Sequence, residues 1–154
     1  MIKVCELRNM PVICQEKQVG LLQSVHLNLA QKRVEALVIS CGIQGKKLAA
    51  AADVRSIANG FILISNLQKY HRMHKQAAYP FVRDSLGLLT GKVTNYAISE
   101  NTLEIIAAEM RLGYSLSERN LRVWIYDYSA NEATGELIVP SSLGSGLIMS
   151  GEVE

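Results

Sequence analysis

Between Gln18 and Ser40 the hydrophobic pattern changes period once. Val25, Leu27 and Leu29 alternate with Ser24, His26 and Asn28, the spacing of a pleated strand that buries one face. Val34 to Ile39 is apolar apart from Glu35, which predicts a second strand covered on both faces. Ala30, Gln31 and Lys32 lie between them and reverse the chain. The pattern returns over residues 88–110, LLTGKVTNYAISENTLEIIAAEM. Setting Gly20 on Gly91 puts Leu22 on Val93, Val25 on Tyr96 and Leu27 on Ile98; with two residues deleted at the turn, Val34 falls on Leu103 and Leu37 on Ile106. Ahead of these, Pro11-Val12-Ile13 sits opposite Pro80-Phe81-Val82. A repeat of about 70 residues is too long for a solenoid unit and predicts a small domain present twice.

The remaining segments fit around this hairpin. Met1 to Glu6 reads as a short strand or a lead-in, and Pro11 to Cys14 as an extended piece turning at Gln15-Glu16-Lys17. Gly20 inside a strand predicts a bulge or sharp bend. Asn59-Gly60, between Val54–Ile57 and Phe61–Ile64, predicts a two-residue hairpin, because a type I′ turn needs positive φ at both central positions. Asn66 to Ala78 has good helix formers and no glycine or proline, so it reads as a linker helix or a polar tether closed by Pro80. Leu121 to Tyr126 alternates as a strand, Ser129 to Gly135 reads as a loop before Glu136–Val139, and Leu147-Ile148-Met149 is suited to docking on an edge.

At 154 residues, 49% hydrophobic and 19% charged, the chain can fill a core. A formal charge of +2 does not imply nucleic acid or an acidic membrane, so any such role rests on a local patch. Cys5, Cys14 and Cys41 form no CxxC pair and are odd in number, which points to reduced thiols and a cytoplasmic setting. Lys3, Glu6 and Arg8 interrupt any signal-peptide core. The longest uncharged stretch, Leu137 to Gly151, contains Pro140 and is shorter than the about 20 apolar residues of a membrane helix.

No residue set carries reaction chemistry, so no catalytic, cofactor or metal residue is assigned. Cys41-Gly42-Ile43-Gln44-Gly45 followed by Lys46-Lys47 invites a phosphate reading, yet GxxGKK lacks the spacing of a P-loop and reads as a plain turn. Lys69, His71, Arg72, His74 and Lys75 form the most basic window, either a solvated connector or a patch for an anionic partner. His71 and His74 share a helical spacing, but no carboxylate or cysteine lies near them to complete a four-ligand metal site. His26 is the one histidine in a strand and reads as exposed or satisfied between repeats. Trp124, Tyr126 and Tyr128 read as core or interface residues.

Gly20 to Val25, Arg33 to Ile39 and the Asp53-Val54-Arg55-Ser56-Ile57 segment resemble the PRC-barrel domain. Leu89-Thr90-Gly91-Lys92-Val93 and Leu103-Glu104-Ile105-Ile106 resemble it again, although nothing after Met110 resembles Asp53–Ile57. That family includes the cytoplasmic domain of the photosynthetic reaction-centre H subunit, the C-terminal domain of a ribosome-maturation factor, and stand-alone bacterial proteins. The resemblance implies a mainly β chain of two tandem, strongly bent small barrels, residues 1–70 and 77–154, joined by a short helical or polar linker. It implies an adaptor role; the lack of any set of reactive residues predicts a non-enzymatic module with a protein partner and no cofactor, and halves of about 70 residues, marginal as single cores, should bury apolar surface against each other or in a dimer. An RNA- or ribosome-associated assembly factor is the alternative, set against only 6% aromatic residues.

Overall fold

A computed structural model describes residues 1–73, 79–112 and 121–140, and the backbone of 147–149. The chain is mainly β. Its elements run β1 (Ile2–Lys3), α1 (Val4–Leu7), β2 (Pro11–Cys14), β3 (Lys17–Asn28), β4 (Arg33–Ser40), β5 (Lys46–Ala50), β6 (Val54–Ala58), β7 (Phe61–Ile64) and β8 (Gln68–Lys69). They continue as β9 (Phe81–Asp84), β10 (Leu89–Ile98), β11 (Ile105–Leu112), β12 (Arg122–Ile125), β13 (Ser129–Ala130), β14 (Leu137–Val139) and β15 (Leu147–Met149).

The alternation in β3 and the apolar run in β4 form the expected hairpin. Leu22 faces Ile39, Val25 faces Leu37 and Leu27 faces Val34 across it. Leu22, Val34, Leu37 and Ile39 are buried, each contributing about 1.5–3 kcal/mol of transfer free energy. The reversal is built by Asn28, whose Oδ1 accepts from Gln31 N at 2.9 Å, and by Lys32 at φ 53°. Gly20 is required by a close approach: a Cβ there would lie 2.2 Å from the carbonyl oxygen of Ser40. The ladder with β2 skips Val19 beside it, so the expected bulge is present. Asn59 and Gly60, at φ 57° and 82°, form the turn between β6 and β7, with Ala58 opposite Phe61.

The two halves are wired alike. One sheet has the order β6-β7-β2-β3-β4-β5-β8 and the other β13-β14-β9-β10-β11-β12-β15, with β1 added to β10. The first-to-sixth strand contact is parallel in both, β2 with β7 and β9 with β14. Among the described residues every other strand pairing is antiparallel. Gly91 faces Val82 as Gly20 faces Val12, and the ladder skips Thr90 as it skips Val19. Among the described residues neither sheet closes on itself, since the marginal strands of each do not pair with one another.

Register corrects the sequence alignment in two places. Leu27 faces Val34 and Ile98 faces Ile105, so Val34 corresponds to Ile105 and Leu37 to Ala108, with no deletion at the turn. Val12 corresponds to the fully buried Val82, whereas the alignment sets it against Phe81, which is exposed. Two further expectations change. Residues 66–73 contain no helix; Gln68 and Lys69 instead complete the open edge of β5. His74 to Ala78, the rest of the expected linker, lie outside the described residues. Ser129–Ala130, expected as loop, pairs with Leu137–Ile138 and supplies the counterpart of the β6–β7 hairpin. Its turn holds through Asn131 N to Glu136 O at 2.8 Å and Gly135 N to Asn131 O at 2.7 Å.

The halves meet on a local two-fold axis. Arg33 bridges Glu104, its own counterpart, in antiparallel sense. Val34 N donates to Leu103 O at 2.9 Å and Ile105 N to Lys32 O at 2.8 Å, which is the same bond made twice. One cluster of buried side chains contains Val12, Leu37 and Ile62 from the first sheet and Val82, Ile98 and Leu137 from the second. The N-terminal segment ties the arrangement together, since Ile2 and Lys3 pair with β10 while Asn9 N donates to Leu22 O of β3 at 2.8 Å.

Candidate anion-binding cleft

Lys46 and Lys47 begin β5 because the loop ahead of it closes on itself. Cys41 N donates to Gly45 O at 2.8 Å, Gly45 N to Gly42 O at 3.0 Å and Gln44 N to Cys41 O at 3.3 Å. Gly42 and Gly45 take φ 62° and 77°. Those amides are engaged inside the turn, so the glycines make a reversal and do not cradle a phosphate with them. What the loop does is deliver two lysines to a sheet edge.

β8 completes that edge and brings a third lysine from the basic window. Lys69 stands opposite Lys47, and Gln68 opposite Leu48. Lys46 Nζ lies 5.7 Å from the centre of the Tyr70 ring. Together with Gln44 and Leu67 these residues line an open cleft of about 360 Å³. Like charges directly opposed on neighbouring strands repel. Among the described residues no carboxylate comes within ion-pair distance of Lys46, Lys47 or Lys69.

The second sheet shows the same position neutralised. Arg122 begins β12 and faces Arg111, as Lys46 begins β5 and faces Ser40. Arg122 Nη1 lies 3.5 Å from Oε1 of Glu109, whose side chain is 8% exposed and also accepts from Thr94 Oγ1 at 3.2 Å. Val38 occupies the position of Glu109 in the first sheet. The cation at the start of this strand is thus paired with a carboxylate in the second half, and among the described residues it is not in the first.

The other sequence candidates are dispersed. His26 Nε2 lies 3.3 Å from Glu35 Oε2, and Glu35 Oε1 accepts from Asn28 Nδ2 at 2.9 Å. Cys5, Cys14 and Cys41 are free thiols; Cys5 is held by Asn95, which donates Nδ2–H to its Sγ at 3.0 Å and accepts its N–H at 3.2 Å, latching α1 onto β10. Trp124 packs on Ala97 and Ala107 and Tyr128 lies in the main cluster, while Tyr126 is exposed. His71 is exposed, and His74 and Lys75 lie outside the described residues. Among the described residues no group of three or more histidine, cysteine or acidic side chains is placed to hold a metal, and no helix is long and apolar enough to cross a membrane.

Sequence reading found the two lysine segments separately and missed their convergence, because pairing between β5 and β8 leaves no local periodicity. It also missed Glu109, which looks in sequence like one more polar residue of a strand. No protein-family model matches the chain, and no curated protein matches it.

Proposed function

We propose that the chain is a non-enzymatic interaction module, an adaptor made from two copies of a small, strongly bent PRC-barrel-like domain over residues 1–70 and 77–154. The observation that carries this reading is the common strand order of the two sheets. Beside it stands a division of labour: the halves share their buried pairs and glycine approaches but differ in exposed charge, Lys46 beside Val38 in one and Arg122 beside Glu109 in the other. A scaffold that repeats its core and varies its surface suits the presentation of distinct faces to partners. The link from fold to adaptor role is by analogy with the family that the sequence resembles. A cytosolic protein is the partner class.

The test is capture of partners by the tagged full-length chain from its native cell, washed with rising salt. A protein retained in stoichiometric amount through the high-salt wash is the expected result. A second reading, an RNA- or ribosome-associated assembly factor, is favoured by the lysine cleft and would show as RNA released by salt. Turnover of an ester substrate that disappears in Cys5→Ala or His26→Ala would overturn both.

A further inference from the structure

The lysine cleft supports a ligand class more specific than "partner". Three cations from two chain segments line it, Lys47 and Lys69 directly opposed across neighbouring strands and Lys46 beside Tyr70, and among the described residues none has a carboxylate partner. An arrangement that repels itself when empty is relieved by an anion, which gains from every cation at once. At the position of Lys46 the second sheet also carries a cation, Arg122, and pairs it with buried Glu109; opposite each other where Lys47 and Lys69 stand it has Val123 and Met149. The cleft is also concave and carries more than charge. Tyr70 is 39% exposed beside Lys46, and Gln44 and Gln68 add side-chain amides that both donate and accept. Lysines beside an aromatic plane and amides match phosphates beside a base, whereas an acidic peptide would use the lysines alone.

We infer that the cleft lined by β5, β8 and the loop before β5 binds single-stranded nucleic acid, with Lys46, Lys47 and Lys69 against phosphates and Tyr70 as a stacking plane for a base. This deepens the RNA-associated reading and rests on it; the adaptor reading is decided separately, by protein capture. The glycine turn positions the first two lysines, β8 positions the third, and the edge that bears them carries no carboxylate partner among the described residues.

The experiment is fluorescence anisotropy of a labelled decauridylate titrated with the purified full-length chain over a salt series. Three phosphate contacts on a single strand give a slope of log K against log salt of about −2. Lys47→Gln with Lys69→Gln should weaken binding at least about tenfold and flatten the slope by about 0.7 per lysine removed. Tyr70→Ala should weaken binding while Tyr70→Phe retains it, because stacking needs the ring and not the hydroxyl. Lys92→Gln, an exposed lysine of the second sheet, should leave affinity unchanged. Binding that persists unaltered in the double lysine variant would sink the site and leave an RNA-associated role standing. Failure of the parent chain to bind would overturn both. Displacement of the oligonucleotide by inorganic phosphate with equal affinity in the parent and Tyr70→Ala would reassign the cleft to a small anion and overturn the nucleic-acid inference.

Discussion

Gly20 and Gly91 are held to glycine by backbone atoms of the neighbouring strand. A Cβ at Gly91 would lie 2.3 Å from Arg111 O and 2.7 Å from Cγ of Met110, and the first half repeats the geometry against Ser40. A carbonyl in a ladder cannot move aside as a side-chain end can. Gly20→Ala and Gly91→Ala are therefore each expected to lower stability by about 1–3 kcal/mol, read as a fall in the urea midpoint; an unchanged midpoint would refute the close approach. Tyr128 is the opposite case, a residue with a group it does not need. Its hydroxyl is buried without a hydrogen-bond partner, so Tyr128→Phe should raise stability by about 1 kcal/mol. Burial pushes the Tyr128 phenol up to about 12, and raises that of Tyr96 through burial first and the charge of Tyr128 second. The neutral phenol is the form the fold favours. Its contribution is complete below about pH 10, the unfolded value, and is lost as pH climbs toward the folded one. Denaturation at about pH 9 and about pH 11.5, on either side of that unfolded value, should show the gap between Tyr128→Phe and the parent widening at the higher pH.

At the level of strands, what was legible depended on whether a pattern is local. The β3–β4 hairpin, the bulge beside Gly20 and the Asn59-Gly60 turn were all readable, because alternation, a strand-interior glycine and positive φ are properties of adjacent residues. A Cβ at Gly60 would meet nothing within 4 Å, so Gly60→Val should cost about 1–3 kcal/mol from backbone strain alone. Gly60→Asn should recover most of that loss in a thermal melt, and equal losses for both would point to packing instead. The likeness of the two halves in strand order had a trace in the sequence, but the register was displaced by two residues in the second strand. Strand side chains have a period of two, so such a slip keeps every apolar residue on its own face and leaves no trace in the pattern. The β13–β14 hairpin was missed for a related reason: Asn131 to Glu136 turns through a longer loop without the Asn-Gly signal. Gln68–Lys69 was read as linker because its strand character comes from the vacant edge of β5 and not from its own residues.

Across the whole molecule, the candidate site was the least legible part, since it exists only where two distant segments pair. The shared interior was legible from size: halves of about 70 residues are marginal as single cores and need to bury apolar surface against each other or in a dimer, and Val12, Leu37, Val82 and Leu137 belong to one cluster. The full chain should consequently unfold by urea or heat in a single transition, coincident in Trp124 fluorescence and far-ultraviolet circular dichroism. Two separated transitions would show that each half stands alone. The two-fold junction has a further consequence for ancestry and for engineering. Arg33 meets Glu104 across the axis, a pairing of opposite charges at matched positions. Two identical halves brought together on such an axis would set arginine against arginine or glutamate against glutamate, which is unfavourable. Joining the halves in one polypeptide frees that spot from self-complementarity. At this spot the junction accordingly favours a first half with a second over either with itself, by the roughly 0.2–1 kcal/mol of a cross-strand charge pair, and a half cut out and offered alone would dock on its unlike partner before its own copy.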